Sequence, residues 1–153
     1  MKQLRITLLF LIINFGGLAI GTWFMNNGPL SIWYTNLNQA PWTPPGFVFG
    51  IVWTAIMISF SIYLGKQFTK GIGIKLTRVF LIQFVLNVSW NYVFFNQHLV
   101  FLGLIIIALL TALIFYYFFK LSNKTGNYKF LLLPYIIWLC IATSLNLYIL
   151  IHN

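Results

Sequence analysis

The chain has 153 residues, 61% of them hydrophobic and 20% aromatic, with nine Lys or Arg and neither Asp nor Glu. A soluble domain of this size cannot hydrate its surface with 6% charged residues, so lipid must cover most of the chain and it reads as an integral membrane protein. The net charge of +9 and pI near 10.0 do not indicate nucleic acid, because the basic residues sit at the ends of apolar stretches rather than in one patch.

A membrane-crossing helix needs about 20 mostly apolar residues. The first such span runs from about Leu4 to Met25. Lys2 and Arg5 followed by Ile6 to Ile13, with Ala19 and Gly21 as a small-x-small pair, also match a signal peptide. The apolar run continues to Trp23 at spanning length, which favours a retained helix. Asn14, Gly17 and Gly21 give this helix a small face that a neighbour can approach closely.

The connection Asn26 to Pro44 ends in a stiff segment. Pro41, Pro44 and Pro45 fix their own φ angles and hold Ala40, Thr43 and Pro44 extended, so Trp42 sits at a defined place on the approach to the second span. That span runs from about Pro45 to Gly65, with Pro45 expected in its first turn. Phe49, Trp53, Ile56, Met57 and Phe60 share one face. They serve either as packing residues, with Trp33, Tyr34 and Trp42 as an interfacial belt, or as part of a cavity wall.

The third span, Ile74 to Phe95, carries Gln83, Asn87, Trp90, Asn91 and Phe94 at i, i+4, i+7, i+8 and i+11. Amides facing hydrocarbon are costly, so this face looks into the bundle. Interhelical hydrogen bonding and a polar, aromatic cavity both explain it. The fourth span is Leu99 to Phe119 and the fifth Phe130 to Ile151. In the fifth, Trp138, Ala142, Leu145 and Asn146 form a matching wall with Tyr135 one turn earlier, Ala142 leaves space, and Pro134 is expected to kink its start. The result is a single-domain all-α membrane protein, a bundle of five transmembrane helices.

Lys2 and Arg5, then Lys66, Lys70, Lys75 and Arg78, then Lys120, Lys124 and Lys129 all fall on one side of a five-span model. That side is expected to be cytoplasmic, leaving the first connection, the short third one (Asn96 to His98) and the C-terminus outside a cell membrane. One cysteine, Cys140, rules out an intrachain disulfide, and His98 and His152 without carboxylates make no metal site.

Three segments carry a resemblance: WYTNLNQAPWTPPGFVFGIVW (Trp33 to Trp53), LNVSWNYVFF (Leu86 to Phe95) and LPYIIWLCIATSLN (Leu133 to Asn146). With five spans of fitting length, they make the chain similar to bacterial members of the translocator protein (TspO/MBR) family, also called tryptophan-rich sensory proteins or the peripheral benzodiazepine receptor family. The resemblance implies a homodimer in the membrane lipid, each subunit with a pocket beneath the first outer loop. It implies tetrapyrrole ligands such as protoporphyrin or haem, and sterols in animal members, with no required cofactor. Matched to the motifs, the ligand-binding positions are Trp33, Tyr34, Pro41, Trp42, Pro44 and Pro45 as lid, with Phe49 and Trp53 below. Asn87, Trp90, Asn91 and Phe94 of the third span and Trp138, Ala142 and Leu145 of the fifth complete the set.

Such a site suits a planar macrocycle, because aromatic rings stack on its faces while amides orient its polar edge. The chain departs from the family pattern in having Gln39 where relatives often have a basic residue, in lacking acidic residues, and in having no Lys or Arg after Tyr148 for a sterol motif. The loose sterol pattern does match at Leu113, Tyr116 and Lys120. The expected activity is porphyrin binding by a sensor or translocator. Light-dependent porphyrin breakdown is the enzymatic alternative, with Trp53 and Trp138 as candidate electron donors, and a purely structural membrane protein is the third reading.

Overall fold

A computed structural model describes residues 1–71 and 73–153 and, at Lys124, the backbone only. Ile72, in the second predicted connection, and the Lys124 side chain therefore lie outside the described residues. Among the described residues five helices are long and apolar enough to cross a membrane, and each overlies one predicted span. They comprise α1 (Lys2–Phe24), α3 (Gly46–Thr69), α4 (Ile74–Asn91), α5 (Val100–Tyr116) and α6 (Leu133–His152), with a single-turn α2 (Ile32–Thr35) in the first connection. Among the described residues there is no strand.

Several boundaries shift for local reasons. The second span starts at Gly46, one residue later than expected, because Pro45 keeps an extended ψ of 146° and caps the helix from outside it. It also continues to Thr69, past the apolar run, so that Lys66 is carried on helix. The third and fourth spans do not stop as α-helix. Each finishes in a π-helical turn, Tyr92–Asn96 and Tyr117–Leu121. The fifth span is preceded by 3₁₀ helix over Gly126–Leu132, and the switch to α-helix at Leu133 places Pro134 in the first turn of α6, where its missing N–H removes no bond. Pro134, expected to kink the start of this span, thus stands where 3₁₀ helix gives way to α-helix.

Packing runs around a ring: α1 lies against α3 and α4, α4 against α5, α5 against α6, and α6 against α3. The α1 face is the one expected, since Thr7, Phe10, Asn14, Gly17 and Gly21 are its buried residues. A Cβ at Gly17 would strike the Phe84 ring of α4, and one at Gly21 would sit 2.7 Å from Asn91 Nδ2. Near the other end of α1, Gly65 of α3 lies directly against Thr7. The core is filled by Ile56, Met57, Phe60, Tyr63 and Leu64 of α3 with Ile107, Leu110, Ile114, Tyr135 and Leu139 from α5 and α6.

Hydrogen bonds tie the helices at several levels, each worth about 1 kcal/mol in a membrane setting. Asn14 Nδ2 donates to Ser61 Oγ at 2.8 Å between α1 and α3, and Gln83 Nε2 to the Tyr135 hydroxyl at 2.9 Å between α4 and α6. Thr111 and Thr143 hydroxyls meet at 3.2 Å between α5 and α6. Exposed hydroxyls inside the spans bond back along their own helices, Thr22 to the Leu18 carbonyl and Thr54 to the Gly50 carbonyl, and so can face an apolar medium.

Candidate ligand cavity

The first connection is shaped by its own chemistry. Asn26 and Asn27 take left-handed backbone angles (φ 45° and 69°), which asparagine tolerates better than most residues, and this ends α1. Ser31 then caps α2 by accepting from the Tyr34 N–H at 3.2 Å. Further on, Thr43 N–H donates to the Ala40 carbonyl at 2.9 Å, closing a β-turn whose central residues are Pro41 and Trp42.

Aromatic contacts press this connection onto the bundle. The Trp33 ring stacks on His98 at 4.1 Å and meets Phe94 edge-on at 5.6 Å. Tyr34 is 6% exposed and packs on Phe94 and Phe95, and its burial raises the phenol pKa, so the ring stays neutral. Asn38 exchanges hydrogen bonds with Asn153, its N–H donating to Oδ1 at 2.9 Å, which clasps the connection to the end of α6.

Beneath it the predicted residues divide between two spaces. Tyr34, Phe49, Trp90, Phe94, Ala142 and Leu145 converge with Phe95, Asn146 and Ile149 on a void of only about 20 Å³ in the bundle centre. The larger space, about 690 Å³, lies between α1, α3, α4 and the first connection. Of the predicted residues, Phe49, Trp53, Trp90 and Asn91 line it. Phe49 and Trp90 therefore stand between the two spaces. Trp90 is held there by stacking on Phe94 at 5.1 Å and by its Nε1–H donating to Asn146 Oδ1 at 3.3 Å. Asn146 in turn donates from Nδ2 to the Val100 carbonyl, so its amide links α4, α5 and α6.

Other predicted residues lie elsewhere. Trp138 is 4% exposed and sits behind Phe49, edge-on at 5.1 Å, lining neither space. Trp42 is more than half exposed and lies on α6, donating from Nε1 to Ser144 Oγ at 3.1 Å and packing edge-on against Tyr148. Trp33, Pro41, Pro44, Pro45 and Asn87 also line neither. On α4, Phe84 and Asn91 face the glycines of α1. Gln83, Trp90 and Phe94 turn toward α6 and the bundle centre instead. The amide stripe expected to share one cavity wall is thus split between two neighbours.

The large space is completed by residues that the sequence reading did not select: Leu18, Thr22 and Met25 of α1, Asn27, Pro29 and Leu30 after it, Gly46, Phe47, Gly50 and Thr54 of α3, and Phe95. One signal for them was present. Gly46, Gly50 and Thr54 form a small-residue stripe at i, i+4 and i+8, the kind that usually seats a helix. Here nothing lies within 4 Å of a Cβ built on Gly46 or Gly50, so the stripe faces open space. α1 and α3 touch closely at Thr7 and Gly65 and part toward Thr22 and Gly50, which makes the space a crevice between them. Its chemistry is that of a mostly apolar slot walled by two indoles and several phenyl rings, with Asn91 and Asn27 as amides.

Comparison with known proteins agrees with the motifs. The TspO/MBR family model matches residues 8–152. A tryptophan-rich protein TspO of Chlorobaculum tepidum is 33% identical over 132 residues, 82% of each chain. A tryptophan-rich sensory protein of Cereibacter sphaeroides is 32% identical over 118 residues, 74% of this chain and 72% of the relative. Protein CrtK of Rhodobacter capsulatus is 26% identical over 121 residues, 74% of each chain. With the family model covering residues 8–152 and so reaching all five membrane helices, this integral membrane protein belongs to the TspO/MBR family.

Proposed function

We propose that the protein binds a tetrapyrrole of the protoporphyrin or haem type, as a sensor or translocator, in the crevice between α1, α3 and α4. The observation that carries this reading is the space of about 690 Å³ walled by Phe49, Trp53, Trp90 and Phe95. Its size falls in the range of about 300–1,000 Å³ typical of small-molecule sites, and its walls offer ring faces to a flat macrocycle. Asn91 and Asn27 supply amides for the polar edge. Among the described residues no Lys or Arg lines the crevice, so ring stacking and desolvation dominate over charge pairing with propionates.

Gly50→Leu tests it. A Cβ at Gly50 meets nothing, and leucine favours helix over glycine by close to 1 kcal/mol, so the fold should be kept while the slot is filled. Titration with protoporphyrin in the dark, followed by tryptophan quenching, should show binding in the parent and at least tenfold weaker binding in Gly50→Leu. Equal affinity in a folded variant would remove the ligand from this crevice.

The second reading, light-dependent breakdown of the bound porphyrin, has one observation in its favour. Trp53, an electron-rich ring, is in the crevice wall itself.

A further inference from the structure

The basic end of the bundle holds another cavity, of about 450 Å³, between the α3–α4 connection and the turn that follows α5. Three lysines from three places in the chain line it. Lys70 is the residue after α3, Lys75 lies in the first turn of α4, and Lys120 belongs to the π-helical turn Tyr117–Leu121. Leu76 and Leu121 provide its apolar side.

The two segments are held together at this point. Gln67 Nε2 donates to the Leu121 carbonyl at 2.8 Å, and Lys75 Nζ lies 5.7 Å from the centre of the Tyr116 ring on α5. The Gln67 amide oxygen is buried and, among the described residues, has no hydrogen-bond partner. Three cations around one cavity repel each other, and the chain has no Asp or Glu anywhere to neutralise them. The start of α4 adds to the same field, because Gly73 offers no capping side chain and the first turn contains no acidic residue. The counter-charge must therefore come from another molecule.

We propose that this cavity binds the phosphate of an anionic phospholipid headgroup. A lipid is favoured over a free anion because the lysines stand where apolar spans end, at headgroup level, with leucines beside them to meet the first acyl carbons. The ligand class is set by the phosphate and the adjoining apolar contact, and neither depends on what fills the crevice at the opposite end.

The test uses the full chain in nanodiscs, with dioleoylphosphatidylglycerol and dioleoylphosphatidylcholine as the probes, and counts retained lipids by native mass spectrometry. The parent should retain phosphatidylglycerol selectively. Each of Lys70→Gln, Lys75→Gln and Lys120→Gln should weaken that retention about fivefold, and the triple variant about a hundredfold. A control triple at the same end, Lys2→Gln, Arg5→Gln and Lys129→Gln, removes the same charge and should retain the lipid. Equal loss in both triples would reduce the effect to general surface charge and overturn the site. Displacement of bound phosphatidylglycerol by excess inorganic phosphate at constant ionic strength would assign the cavity to a free anion and overturn the lipid. Melting curves in phosphatidylcholine discs check folding, and should the triple fail to fold, the single variants carry the comparison.

Discussion

At the residue scale, the two tryptophans named as electron donors are not equivalent. Trp53 is half-buried and lines the crevice, edge-on to Tyr135 at 5.8 Å, whereas Trp138 is shielded by Phe49. Replacing either with Phe keeps an aromatic surface and leaves the ring harder to oxidise. If bound porphyrin is lost under illumination, Trp53→Phe should slow that loss at least several-fold with dark affinity within about threefold of the parent, and Trp138→Phe should have the smaller effect. Porphyrin absorbance under fixed illumination, with dark binding measured separately, checks this. An unchanged rate in Trp53→Phe would leave binding alone as the activity. The sequence could place both rings on inward faces, because helical spacing assigns faces. It could not say that a phenylalanine stands in front of one of them, since that depends on how α3 and α6 are offset along their axes. The amide stripe of α4 shows the same limit: it was legible, but Asn91 meets Gly21 of α1, Gln83 bonds to Tyr135 of α6, and Asn87 lines neither space.

At the element scale, the crevice exists because α1 and α3 are in contact at one end and apart at the other. The contact is set by Gly65, where a Cβ would run into the Thr7 hydroxyl and lie 3.0 Å from Thr7 Cβ and 3.1 Å from its Cα. Gly65→Ala should therefore push α1 outward at that end and destabilise the protein by about 1–3 kcal/mol, the usual cost of overpacking a tight site. Adding Thr7→Gly removes the opposing side chain and should recover part of the loss. Unfolding in mixed micelles, followed by far-UV circular dichroism, measures both. A neutral Gly65→Ala would mean that α1 is not seated on α3 as described. The small face of α1 was readable from Asn14, Gly17 and Gly21, and those residues do meet Ser61, Phe84 and Asn91. The π-helical turns were not readable. Tyr92–Asn96 has an ordinary apolar composition, and its change of hydrogen-bond pattern follows from seating Phe94 and Phe95, 2% and 4% exposed, under the first connection.

At the scale of the whole molecule, the five-helix architecture was legible because hydropathy and the positions of nine basic residues fix the number of spans and their alternation. The ring order was not, since it depends on which faces meet. Contacts at each end agree with that alternation. Gln67 bonds to Leu121, and Lys66 lies over the Tyr128 ring at 4.9 Å, joining the second and fourth connections. Trp33 stacks on His98 and Asn38 is clasped by Asn153, joining the first connection, the third and the C-terminus at the opposite end. The lysine-rich end should face the cytoplasm, because basic connections resist translocation. The measurement needs a background without the native thiol, Cys140→Ser, since Cys140 is exposed on α6. Asn36→Cys and Asn127→Cys then place single thiols at exposed positions on the two ends. In intact spheroplasts a membrane-impermeant maleimide should label Asn36→Cys fully and Asn127→Cys only after permeabilisation. The reverse pattern would invert the protein, and the crevice beneath the first connection would then lie nearer the cytoplasmic face.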